Sequence, residues 1–430
     1  MNADKVQGSR FKVQGPRCQA LSRWQLIFGW PFHVLMLTLV GVGITTLPVG
    51  AQDSSGQEPK YRPELHGYLK NFPMVVVAPG FDAVQQADNI LHNRLNFRWR
   101  LDPHWEIQAA QRTRLFWGQS AENPFFRDFL DVDLNGPADL SHVLFSEQKL
   151  LLHTITDRAF VDYTRGKWQV RAGRQRINWG INTVSNPNDL FNNYSFFDFD
   201  YEERPGVDAL RVNWFRTSLS RLELAIAPGR DVLVPGSNIS MRESVAAVLW
   251  GFNRKGYDWQ LVSGYFRNRL AVGGGWAGSI GAAGFKGELS WFYDLEKTPG
   301  LERGNVVVAL SADYRFGNGL FWINEVVYNQ QRGGGVAPIL LIRPLRADNL
   351  SFSDWSVLST VSYPIGLRHS LNLAGFYYPT EEAVFFSPSY SFSAAQNLDL
   401  TVLGQYFLAG DNSLFANAGS TLALLLKWSF

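Results

Sequence analysis

The chain has 430 residues, of which 14% are Phe, Trp or Tyr, 39 are glycine and one is cysteine. Its 40 basic and 38 acidic residues become 35 and 37 once residues 1–51 are set aside, a net charge of 35 minus 37, or −2, which gives a nucleic-acid partner no electrostatic support. Cys18 precedes the first apolar run, so no disulfide, thiol nucleophile or thiolate metal site is available after residue 51.

Lys5, Arg10, Lys12, Arg17 and Arg23 precede an apolar run from Phe32 to Val49, followed by the small residues Val49-Gly50-Ala51. This order predicts a signal peptide over 1–51, cleaved before Gln52. A retained anchor is the competing reading, and Gly41, Gly43 and Pro48 break the run it would need. Residues 52–63 then read as a periplasmic tether and 64–430 as one domain.

Beyond residue 51 no apolar stretch approaches the ~20 residues of a membrane helix. Apolar residues instead alternate with polar ones, between short turns, in the manner of an antiparallel meander. The predicted fold is therefore all-β, a transmembrane antiparallel barrel of about 18 strands, with 16 the alternative.

Chain order supplies the detail. A first strand is expected near Glu64 to Val77. In the second, Leu91, Leu95, Phe97, Trp99 and Leu101 share one face while His92, Arg94, Asn96, Arg98 and Arg100 share the other. In the third, Trp105, Ile107, Ala109 and Leu115 oppose Glu106, Gln108, Arg112 and Arg114. An arginine on a lipid face at mid-bilayer costs about 2–4 kcal/mol, which turns these arginines inward. Arg158 and Arg211 alternate with apolar neighbours in the same way. The seven arginines 94, 98, 100, 112, 114, 158 and 211 are the candidate pore lining, either as an anion-favouring path or as partners that cross-link to Glu106, Asp162 and Glu223.

Short turns are expected at 102–104, 165–167, 216–218, 253–256, 285–287, 317–319, 364–368 and 394–397, all on the periplasmic side. Longer outer loops fall near 117–150, 177–206, 228–242, 331–352 and 408–419. The glycine-rich stretch Leu270 to Phe285 reads as one strand or a broken pair. Towards the C-terminus Ser387, Ser389, Ser391 and Ser393 alternate with Phe386, Tyr390 and Phe392, which makes that wall polar and nearly uncharged.

Residues 172–214 hold the densest pattern. Trp179-Gly180 closes an outbound strand, an Asn- and Asp-rich run from Asn182 to Asn193 favours turns, and Asp198, Asp200, Glu202 and Glu203 follow. Such a loop can fold into the lumen. Its constriction candidates are Arg174, Arg176, Asp189, Asp198, Asp200 and Glu202. Simple alternation puts Arg174 and Arg176 on the same face as Trp168, Val170 and Ala172, so either Gly173 marks a bulge or both arginines sit on the rim. No metal-ligand spacing is met and no metal is assigned; a calcium or lipopolysaccharide-bridging cation at Asp198, Asp200 and Glu202 is the alternative to an ion-pair partner for the arginines.

Gly173-Arg174-Gln175, Trp179-Gly180 and Asp208-Ala209-Leu210-Arg211 together resemble porin-like barrels of the alginate-export type, a match over about a tenth of the chain. The resemblance implies the barrel type, and implies that Arg174, Arg176 and Arg211 lie near a constriction. Leu422, Leu424, Leu426, Trp428 and Phe430 alternate to a terminal aromatic, and Leu426, Trp428 and Phe430 resemble the assembly signal of bacterial outer-membrane barrels, read by their assembly machinery.

The histidines His66, His92, His104, His142, His153 and His369 lack nucleophile or metal spacing, and the glycine runs at 273–275 and 333–335 lack a following Lys-Ser/Thr, so no enzyme and no cofactor is expected. The sequence thus points to an outer-membrane channel for passive diffusion of small hydrophilic solutes, anionic ones among them, in contact with outer-membrane lipid and lipopolysaccharide. An exporter of an acidic polysaccharide with a periplasmic partner, and a non-conducting adhesive or structural barrel, are the alternatives. Nothing in one chain speaks to its oligomeric state.

Overall fold

The computed structural model describes residues 61–79, 83–192, 205–231, 239–297, 299, 302–330, 345–410, 413, 415–416 and 418–430. The expected signal peptide and most of the expected tether lie outside them, as do Asp198, Asp200 and Glu202.

Nineteen strands follow one another: β1 (Pro63–Val77), β2 (Val84–Arg100), β3 (Trp105–Gly118), β4 (Ser141–Glu147), β5 (Leu150–Arg165), β6 (Trp168–Gln175), β7 (Val207–Thr217), β8 (Ser220–Arg230), β9 (Ile239–Arg254), β10 (Tyr257–Phe266), β11 (Arg269–Ile280), β12 (Ala283–Asp294), β13 (Gly304–Arg315), β14 (Phe321–Asn329), β15 (Trp355–Ile365), β16 (His369–Tyr378), β17 (Ala383–Ala395), β18 (Leu398–Ala409) and β19 (Ser420–Ser429). Each pairs antiparallel with the next, except that β3 pairs directly with β5, and β19 pairs with β1 to close an 18-strand barrel. Closure pairs the first strand with the last and so removes the two terminal edges, the condition for a sheet to exist in lipid. At the seam Gly67 and Phe430 exchange both backbone hydrogen bonds at 2.9 Å. A Cβ on Gly67 would fall 2.7 Å from the Phe430 ring, so the seam needs glycine there.

The outer surface follows from alternation. Leu210, Leu222, Leu224, Ile226, Leu261, Leu289, Val326, Leu373, Leu422 and Leu424 stand exposed, while the residues between them face inward. Trp99, Trp105, Trp168, Trp214, Trp250, Trp259, Trp322 and Trp428 form an aromatic belt near the short-turn end, and Trp117, Trp291 and Trp355 stand near the other end. Two aromatic girdles around an apolar band are the dress of bacterial outer-membrane barrels.

Seven of the eight expected short turns occupy strand connections at one end of the barrel. The eighth does not: Phe285-Lys286-Gly287 lies inside β12, and the chain reverses at Gly281, whose φ is +62°. Gly287 imitates a turn residue but is small because the Trp276 ring lies over it on the neighbouring strand. The glycine-rich stretch is thus one strand, β11, and its turn. At the outer end the connections are also less uniform than expected, since Arg267 and Asn268, both with positive φ, join β10 to β11 in a two-residue turn.

The outer connection between β3 and β5 is not a plain loop. It holds α1 (Gln119–Glu122), α2 (Pro124–Leu130), whose N-terminus is capped by the Asn123 side chain accepting from Phe125 N at 3.0 Å, and then β4. Ala121, Phe126 and Leu130 pack on the inward-facing Phe72, Ile90, Phe116 and Leu151, so this segment covers part of the outer mouth. A second apolar cluster, with Phe352 and Phe415 from the β14–β15 and β18–β19 connections against Phe376, Tyr378 and Phe385, covers another part.

Candidate functional site

The most consequential local feature is that β6 is only eight residues long beside the sixteen of β5. β6 pairs with β5 from Arg165 to Ala159. Beyond that point β5 pairs with β4, over Ser141↔Ile155 to Glu147↔Leu150. The β4 hairpin therefore takes the place in the wall that β6 gives up at Gln175, and Asp208 N continues the patch by donating to Asn135 O at 3.1 Å. Freed from the wall, the chain after Gln175 turns into the lumen.

Arg174 holds this junction together. Its guanidinium reaches Asp133 at 2.5 Å and Asp208 at 2.8 Å, and donates to Ala138 O at 2.8 Å, all while buried. No bulge interrupts the β5–β6 register, although Gly173 has φ of +114°. Arg174 thus sits at the end of β6 before the chain departs, opposite Ala159 midway along β5, and clamps wall to loop. Arg176 follows at the point of departure, half-buried.

The inward segment, 176–192, lies against β7 to β14. Three carboxylates on the inner wall receive it. Glu223 on β8 accepts from Trp179 Nε1 at 2.7 Å and pairs with Arg211 at 2.7 Å. Glu288 on β12 accepts from the backbone N–H groups of Ile181, of Asn182 at 2.8 Å and of Asn188 at 3.0 Å. Glu325 on β14 accepts from Ser185 N at 2.8 Å. All three are fully buried. A carboxylate with several backbone donors is a strong, charge-assisted anchor, and removing it strands every donor at once.

Apolar contacts complete the seat. Ile177, Trp179, Leu190 and Phe191 pack on inward-facing Ala209, Ala225, Ala227, Val245, Ala247, Leu249, Val262 and Ala271. These wall positions are small because a segment of chain has to fit beneath them. Gly275 is the limiting case: a Cβ there would stand 3.0 Å from Ile181 Cδ1 and 2.9 Å from Gly287 O. The amide of Asn188 donates to Gly274 O at 2.9 Å, and Ser290 bonds Asn188 Oδ1 at 2.7 Å. Asp189, a sequence candidate for the constriction, is buried inside the segment and accepts from Trp179 N at 3.4 Å.

The other part of the inner wall is built differently. Arg94 and Arg112 converge on Asp157, at 2.6 and 2.8 Å, and are buried with it. Asp157 is the extra residue of a bulge where the β3–β5 register shifts, which lets it and its neighbour Arg158 both serve the inner side. Towards the short-turn end Arg98 and Arg100 share Glu106 at 2.7 and 3.2 Å, with the two arginine side chains 40% and 50% exposed. Arg171 pairs with Asp162 at 2.7 Å. Arg114 lies 3.4 Å from His153 Nδ1 and over the Phe116 ring. Across the lumen Ser387, Ser389, Ser391 and Ser393 remain partly exposed, with Ser391 bonded to Thr401 at 2.9 Å and Ser393 to Asp399 at 2.7 Å.

Among the described residues, Arg94, Arg98, Arg100, Arg112 and Arg211 of the expected lining each have a carboxylate partner within 3.2 Å. Glu288 and Glu325 were not singled out from the sequence. Glu288 shares the inward face of β12 with Lys286, Ser290 and Asp294, and Glu325 stands between Ile323 and Val327 on β14, so alternation alone marks neither as an anchor. Among the described residues no three His, Cys, Asp or Glu side chains are grouped to hold a metal.

No family model matches the chain, and no curated protein matches it. The resemblance of 173–211 to alginate-export-type barrels therefore stands on its motif residues alone. Solved structures do match in fold. Acinetobacter baumannii OccAB4 shares 9% identity at a TM-score of 0.54, over 88% of this chain and 100% of that one. Pseudomonas aeruginosa OccK11 (OpdR) shares 11% at 0.51, over 86% and 96%. A BenF-like porin from Pseudomonas fluorescens Pf-5 shares 11% at 0.52, over 86% and 98%.

Proposed function

We propose that the chain is an outer-membrane channel through which small hydrophilic solutes diffuse passively, along an eccentric path bounded by β15–β19 and β1–β6. The observation that carries this reading is the filling of the opposite side by the segment 176–192, anchored on Glu223, Glu288 and Glu325. An anchored inward loop narrows a barrel of this size to a path that can discriminate between solutes, whereas an unfilled barrel of about 18 strands is a wide aqueous pore.

The charge on the remaining path supports a preference for anions. Its periplasmic part carries Arg98, Arg100, Arg158, Arg171 and Lys427 together with Glu64, Glu106, Asp162 and Asp399, five basic and four acidic groups. The preference is modest, because paired arginines hold the wall as well as face the solute. Facing them is a hydroxyl-rich wall of serines and threonines, which offers hydrogen bonds without charge. Small carboxylates and other polar anions suit such a lane.

The test is single-channel conductance and reversal potential in a planar bilayer under a salt gradient. Steady openings with a reversal potential on the anion side, shifted towards the cation side in the triple variant Arg98→Gln, Arg100→Gln, Arg158→Gln, are the expected result. A folded barrel that never conducts would overturn the channel reading.

A further inference from the structure

Three consecutive periplasmic turns, β5–β6, β7–β8 and β9–β10, carry Arg165, Lys167, Arg216, Arg254 and Lys255, all exposed. None of the five has a carboxylate within ion-pairing distance among the described residues, in contrast to the arginines inside the barrel, most of which are paired. An open cleft of about 580 Å³ lies between the first two turns, lined by Gly166, Lys167, Phe215, Arg216, Thr217 and Ser218. Lys167 Nζ donates to Arg216 O at 3.2 Å, which draws the two turns together. Beside the cleft, Trp168 and Trp214 stack at 6.1 Å on the outer surface, 53% and 36% exposed, with Phe215 also exposed.

We infer that this cleft and its basic rim bind the headgroups of anionic glycerophospholipids in the periplasmic leaflet of the outer membrane. The aromatic belt fixes the level: stacked tryptophans sit at the headgroup boundary, and Lys167 and Arg216 lie one and two residues beyond them, at the depth of the phosphates. The outward Trp168–Trp214 pair is apolar and the rim of the cleft is cationic, matching a lipid that presents acyl chain and phosphate side by side. An acidic segment of a periplasmic protein would satisfy the charges but has no use for an exposed Trp pair turned towards the bilayer. Surface cations near a charged leaflet each contribute measurably, roughly a five-fold gain in partition per residue at moderate salt. The site sits on the turns where the filled side meets the proposed path, and its side chains are not among those of the path, so occupancy and conduction are read separately.

The experiment reconstitutes the full chain in nanodiscs of phosphatidylcholine containing a minor share of phosphatidylglycerol, extracts it gently and counts retained lipids by native mass spectrometry. The wild type is expected to retain phosphatidylglycerol over phosphatidylcholine, with retention falling as salt is raised. In Lys167→Gln/Arg216→Gln the preference should fall by roughly ten-fold or more, while Arg315→Gln/Arg368→Gln, changed in distant turns, should keep it. Exposed turn substitutions leave the fold intact, which a heat-dependent shift in gel mobility verifies for each variant. Equal retention of the two lipids by the wild type overturns the proposal. So does an unchanged preference in the Lys167/Arg216 variant. Binding of soluble poly-glutamate at these residues, without lipid preference, overturns it in favour of an acidic protein partner.

Discussion

The two sides of the lumen use charge in opposite ways. On the β7–β14 side, Glu288 and Glu325 are buried and bonded to backbone N–H groups of the inward segment, among apolar residues that pack like a protein core. On the β2–β6 side, arginines and acids are numerous, bonded to one another, and in the periplasmic half reachable by solvent. The difference teaches that a polar residue facing inward is not by itself a pore-lining residue. What it touches decides whether it holds chain or meets solute. Glu288 and Glu106 are both inward glutamates, yet one anchors a loop and the other balances two exposed arginines.

The largest test of that contrast is Glu288→Ala. It strands the N–H groups of Ile181, Asn182 and Asn188 in a buried site, each worth about 1–3 kcal/mol. The inward segment should detach and single-channel conductance should rise several-fold, with weaker selectivity; unchanged conductance would show that the segment does not narrow the path. Trp179→Ala comes next, removing a buried ring and its bond to Glu223 at an expected cost of about 3–5 kcal/mol. It should lower the thermal midpoint by several degrees and raise hydrogen exchange in 176–192, while leaving the reversal-potential shift of the Arg98/Arg100/Arg158 triple variant intact. If the two changes prove coupled, the two sides are not independent.

That triple variant should alter stability by under about 1 kcal/mol, because half-exposed ion pairs contribute little. Its effect is electrical, seen in reversal potential and not in melting.

The smallest effect concerns pH. In the outer connection before β15, burial opposes ionisation of Asp348, but Arg346, Arg269 and Arg267 more than offset it and hold its carboxyl below the ordinary value of 3.8. A depressed folded pKa contributes stability that is present above the ordinary carboxylate range and lost as pH falls through the lowered value. Protection of residues 345–354 against hydrogen exchange should therefore hold from neutral pH down to about 4 and decline only in stronger acid. Asp348→Asn should remove that decline along with part of the protection.

Much of the wall was legible beforehand, and the reason is local. Alternation in β2, written in Leu95, Phe97 and Trp99 against Arg94, Asn96 and Arg98, needs no knowledge of distant residues, because lipid penalises any charge that faces it. The β11–β12 turn was misplaced because Gly287 and Gly281 look alike in sequence; one makes room for Trp276 and the other bends the chain. The inward segment could be suspected from its Asn-rich composition. Its anchors could not, since Ile181 and Glu288 are more than a hundred residues apart.

The sequence by itself determined a closed, lipid-facing barrel, since strand period, aromatic belts and turn residues are properties of neighbouring positions. Only the tertiary structure decided that β6 stops at Gln175, that β4 mends the wall behind it, and that Glu223, Glu288 and Glu325 receive the diverted chain. Those outcomes depend on which surfaces meet when the sheet closes, and closure brings together residues that no local pattern relates.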